Sequence, residues 1–70
     1  MTDPIRLHLN GEPRQLAPGT TIAGLLEAAG LAPRRVAVEV NGAIIPRGRH
    51  PDHVLVDGDK VEIVHALGGG

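Results

Sequence analysis

The sequence has no cysteine and no phenylalanine, tyrosine or tryptophan. Without cysteine, no disulfide staples the fold and no thiol serves as nucleophile, metal ligand or redox centre. Without aromatics the core must be aliphatic, built from Leu, Ile, Val and Ala with a single Met. The same absence removes the stacking platform on which nucleic-acid bases are held, and a net charge of −1 supplies no phosphate-binding surface, so nucleic acid is not an expected partner. No stretch reaches the roughly 20 apolar residues of a membrane span. Residues 1–4, Met-Thr-Asp-Pro, lack the charged and apolar regions of a secretory signal, so the expectation is a cytoplasmic protein without a membrane partner.

What is present amounts to 70 residues, 41% of them hydrophobic, which is one domain near the lower size limit. In "IRLHLNGEPRQL" the apolar residues Ile5, Leu7 and Leu9 alternate with polar ones, and Asn10-Gly11 then breaks the run. This predicts two strands joined by a tight turn. "APGTT" is a turn that leaves Thr20 or Thr21 to cap a helix of about ten residues, with Ile22, Leu25, Leu26 and Ala29 on one face and Gly30 closing it. "RRVAVEVNGAIIP" reads as a third strand, an Asn41-Gly42 turn and a short stub. "RGRHPDHVLV" reads as loop, and "KVEIVHA" as a last strand with Val61 and Ile63 on one face and Lys60, Glu62 and Val64 on the other.

One helix covers only one face of such a sheet, so the fold class is α+β. The economical topology places the first and last strands side by side in the centre, with their hairpin partners outside. That is a β-grasp, a four- to five-stranded mixed sheet covered on one face by a single helix. The expected core is Ile5, Leu7, Ile22, Leu25, Leu26, Val38, Val61 and Ile63. The expected organisation is a β-grasp domain over residues 1–66 and a flexible glycine tail over 67–70.

The sequence ends in Gly68-Gly69-Gly70. A frayed end is one reading. The other is a segment that enters a narrow channel in another protein, where glycine has no Cβ to clash. Five residues from Ala66 to Gly70 extend roughly 17 Å. A terminal carboxylate at Gly70 is an anion at neutral pH and a poor acyl donor. Activating it calls for a nucleotide held by a second protein, because no phosphate-binding glycine loop precedes a helix in this chain.

Several segments in combination are similar to the ThiS family of sulfur carriers in thiamine biosynthesis. They are "LNG" at Leu9 to Gly11, "TIAGLLEAAGL" at Thr21 to Leu31, "VEVNGAIIPR" at Val38 to Arg47, "DGDKVEIV" at Asp57 to Val64, and the terminal glycines. The resemblance implies a ubiquitin-like protein co-substrate rather than an enzyme. Its last glycine, matching Gly70, would be adenylated by an E1-like adenylating enzyme of the ThiF type using ATP. A cysteine desulfurase would supply the sulfur of a thiocarboxylate, to be delivered to a thiazole synthase of the ThiG type. On this resemblance Gly68 and Gly69 thread into the partners' active sites and no cofactor is bound by the chain itself. Gly68 departs from the family pattern, where another small or variable residue is expected.

Val64, Ala66 and Leu67 are the expected partner-docking residues, since Val64 falls on the face opposite Val61 and Ile63. The arginines at 34, 35, 47 and 49 read as solvated charges or as groups that orient the chain on an acidic partner. His50-Pro51-Asp52-His53 reads as a solvated loop rather than a metal site, lacking a helix to align the pair and a third ligand. His8 and His65 are expected at strand ends or in solvent, and no nucleophile-base set is evident. Two relatives in fold compete with the sulfur carrier: the small subunit of molybdopterin synthase, which tends to carry aromatics and prolines ahead of its glycines, and a ubiquitin-like modifier conjugated through Gly70.

Overall fold

The computed structural model of the chain describes residues 3–65. Strands β1 (Ile5–Leu9) and β2 (Glu12–Leu16) form an antiparallel hairpin. Asn10 and Gly11 take φ of 51° and 82°, the left-handed pair that a two-residue hairpin turn requires. Strands β3 (Val36–Val40) and β4 (Ala43–Ile45) repeat the device, with Asn41 and Gly42 at 53° and 87°. The last strand, β5 (Lys60–His65), lies parallel to β1 and antiparallel to β3, which gives one sheet in the order β2-β1-β5-β3-β4. The expected arrangement is therefore found, with β1 and β5 adjacent and their hairpin partners outside.

The helix α1 (Ile22–Ala28) has seven residues, fewer than the ten or so that periodicity predicts. Its end is fixed by the chain reversal at Gly30, whose φ is +74°. The Gly30 N–H donates to the Glu27 carbonyl at 3.1 Å and the Leu31 N–H to the Leu26 carbonyl at 2.9 Å, closing the helix with a paired glycine cap. Ala29, expected on the buried face, sits beyond the last turn and is exposed. At the other end Thr21 is the cap, its Oγ1 accepting from the Gly24 N–H at 3.1 Å. The next two free donors, the N–H groups of Ile22 and Ala23, reach the carbonyls of His53 and His50, both at 3.0 Å. Three of the helix's four orphan donors are thereby satisfied.

The core lies between α1 and one face of the sheet. It takes Leu7 and Leu9 from β1, Val36, Val38 and Val40 from β3, Val61 and Ile63 from β5, and Ile22, Leu25 and Leu26 from α1. Ile5, an expected core residue, is only half-buried at the rim. Leu55 is 1% exposed although it belongs to a segment read as loop. A seven-residue helix is too short to roof the whole sheet, and the segment after β4 folds back to complete the cover.

His50 lies in that segment and corrects the expectation of a solvated loop. It is 2% exposed, with Nε2 3.0 Å from the Ile45 carbonyl oxygen, while Nδ1 is buried and without a hydrogen-bond partner. Among the described residues no helix is long and apolar enough to cross a membrane.

Candidate functional site

The residue with the clearest chemical role by sequence is Gly70, and it lies with Ala66, Leu67, Gly68 and Gly69 outside the described residues. The structure therefore defines the base from which that segment leaves, the strand β5. As the middle strand it is hydrogen-bonded on both edges, and asparagine side chains add to each. The Asn10 carboxamide accepts from the Ile63 N–H at 2.8 Å and donates to the Ile63 carbonyl at 3.2 Å. It thus continues the β1–β5 ladder one step past the end of β1, in the manner of an extra peptide group. On the other edge Asn41 accepts from the Lys60 N–H through Oδ1 at 2.9 Å and donates to the Asp59 carboxylate through Nδ2 at 2.9 Å. Asp59 is 5% exposed and takes a further bond from the Val56 N–H at 2.9 Å, so both its oxygens are satisfied as burial of a carboxylate demands.

Strand alternation sorts β5 into two faces. Val61 and Ile63 are buried under the helix, while Lys60, Glu62 and Val64 are exposed on the opposite face, which no helix of the described residues covers, Val64 at 60%. Val64 is thus placed on the open face, as the sequence predicts. The pairing register assembles its neighbours there. Val64 lies opposite Ala37, and Glu62 lies opposite Glu39, which on its other side lies opposite Ile44. Ile44 is 68% exposed. Arg6 and His8 occupy the β1 part of the same face, His8 opposite Lys60. Sequence reasoning missed Glu39, Glu62 and Ile44 because their proximity exists only once strand order and register are known.

The remaining expected groups do not converge. Among the described residues no set of three His, Cys, Asp or Glu side chains could hold a metal ion. His8 and His65 are exposed on β1 and β5, and Arg35, Arg47 and Arg49 are exposed around the two short 3-10 turns.

Residues 7–70 match the ThiS family. The chain belongs to the ThiS family. It is 44% identical over 62 residues to the sulfur carrier protein ThiS of Thermus thermophilus, covering 89% of this chain and 95% of that one. The crystal structure of the thiamine biosynthesis protein ThiS of Geobacter metallireducens superposes with a TM-score of 0.82 at 33% identity, covering 94% of this chain and all of that one. Among the described residues the five-stranded mixed sheet and one α-helix form the β-grasp of this family. A thiazole synthase of Magnetococcus marinus is 48% identical over 66 residues, which is 94% of this chain and 20% of that protein. The chain thus spans about a fifth of the thiazole synthase that it matches.

Proposed function

We propose that this ThiS-family chain is the sulfur carrier for thiazole formation in thiamine biosynthesis, acting in the cytoplasm as a protein co-substrate. The observation that carries this reading is the family match, which runs through the terminal glycines to residue 70. The chemistry belongs to the Gly70 carboxylate. An E1-like adenylating enzyme transfers AMP from ATP onto one carboxylate oxygen and releases pyrophosphate. The terminal sulfur of a persulfide formed by a cysteine desulfurase then attacks the acyl carbon and AMP leaves; a second thiol cleaves the resulting acyl disulfide, ending in a disulfide itself, and the thiocarboxylate is released for thiazole synthase. ATP belongs to the partner, and Gly70 is the residue modified. Gly68 and Gly69 carry no Cβ and so fit the channels of both enzymes. Val64, Ala66 and Leu67 serve as docking residues; for Val64 this is supported by its exposure on the helix-free face.

Intact protein incubated with ATP, the adenylating enzyme and a sulfur donor is expected to gain the mass difference between sulfur and oxygen, located by fragmentation to residue 70. Deletion of Gly70 and Gly69→Val are expected to abolish the gain, since a terminal group displaced by one residue misses the reactive position. Their melting temperatures are expected to match that of the intact chain. A sulfur-bearing product from the Gly70 deletion would overturn the assignment, as would an unmodified intact chain beside an enzyme shown to be active. Conjugates to lysines of other proteins in lysate would indicate a modifier instead.

A further inference from the structure

The register places two glutamates directly opposite each other on the open face, Glu39 on β3 and Glu62 on β5. Directly opposed side chains have Cβ atoms roughly 5 Å apart, and like charges in that relation are destabilising. Neither takes part in an ion pair: among the described residues the one side-chain ion pair is Arg14–Glu12 at 3.8 Å, on the β1–β2 hairpin. The basic side chains that share this face, Arg6, His8 and Lys60, sit toward β1 and the start of β5, and Lys60, two residues from Glu62, makes no ion pair with either carboxylate. The glutamate pair is bordered by apolar side chains that are themselves exposed, Ile44 at 68% and Val64 at 60%. Two carboxylates on directly paired positions, with aliphatic groups beside them, match one chemical group in particular. A guanidinium fork donates to both carboxylates at once, and its methylene stem covers the neighbouring apolar surface.

We infer that Glu39 and Glu62, with Ile44 and Val64 beside them, form the receptor for an arginine on thiazole synthase; the choice of partner rests on the sulfur-carrier reading. Two observations favour that partner. The Magnetococcus marinus thiazole synthase contains a segment 48% identical to this chain as a fifth of its length, so in that protein a unit of this kind is tethered to the remainder of the polypeptide. Covalent geometry also limits residues 66–70 to roughly 17 Å beyond His65. An enzyme that receives Gly70 must therefore rest against the end of β5, where Glu62 and Val64 are exposed.

The test measures affinity for purified thiazole synthase at low and high salt, together with thermal stability, for the intact chain and for Glu39→Gln, Glu62→Gln and the double variant. Glu27→Gln, on the exposed side of α1, removes the same charge away from this face. Each single open-face variant is expected to lose about tenfold or more in affinity, the loss of a charge-assisted hydrogen bond. The double variant is expected to lose little beyond either single one, because one arginine is shared. The intact chain's affinity should fall with salt, the double variant's should not, and Glu27→Gln should bind normally. Glu62→Gln should melt at the same temperature as the intact chain or higher, which separates lost docking from lost folding. Intact-like affinity in the double variant overturns the inference, as does an equal loss in Glu27→Gln. Weakened binding confined to the adenylating enzyme overturns the choice of partner. If the intact chain neither binds thiazole synthase nor delivers sulfur to it, the carrier reading itself fails; if it does both and the double variant equals it, only this inference falls.

Discussion

Asparagine 10 does two jobs that a sequence shows only by half. Its φ of 51° belongs to the hairpin turn, and this use is legible because Asn-Gly is a strong turn signal. Its carboxamide meanwhile holds both backbone groups of Ile63, 53 positions away, and that use depends on β5 lying next to β1. Asn10→Gly separates the two roles, since glycine keeps the turn and removes the clamp. It is expected to cost about 1–3 kcal/mol for the backbone groups left under-satisfied, read from urea unfolding, with faster exchange of the Ile63 amide. Unchanged stability and exchange would show that the clamp is idle. His50 and Leu55 illustrate the same limit from the other side. Both are almost fully buried, yet they stand in a stretch with no period, so pattern offers nothing to mark them. A hydrogen bond to the Ile45 carbonyl and a gap beside a short helix bring them in.

A helix of seven residues is well below the length at which helices persist alone. α1 therefore owes its existence to its ends and to its buried face. The face was legible: Ile22, Leu25 and Leu26 recur at helical spacing and are buried. Sequence left the cap open between two threonines, and the structure assigns it to Thr21, since the Thr20 hydroxyl donates instead to the Ala17 carbonyl at 2.6 Å. Thr21→Ala is expected to lower stability by about 1 kcal/mol, seen as a shift in denaturation midpoint with an unchanged slope. An equal effect from Thr20→Ala alone would reverse the assignment. The links from Ile22 and Ala23 to the carbonyls of residues 53 and 50 were not legible, because a loop carbonyl leaves no trace in the identity of its side chain.

At the scale of the molecule the sheet order was readable from two facts, a helical crossover between strand pairs and alternation too regular to waste. The open face was readable in part: Val64 could be placed on it by counting along β5, whereas the opposed glutamates required pairing between strands. The order β2-β1-β5-β3-β4 also dictates when the molecule can fold. The β1–β2 and β3–β4 hairpins share no ladder, and each meets the rest of the sheet only through β5. Isolated hairpins are marginal in water, and the contacts that join them close long loops whose entropy must be lost before the contacts form. Assembly thus waits for residues 60–65. A fragment of residues 1–59 is expected to give the circular dichroism of an unfolded chain and no cooperative melt, and a native-like melt would disprove the dependence. During synthesis the first 59 residues then leave the ribosome without a stable sheet, and the domain closes only when the strand that bears the tail emerges.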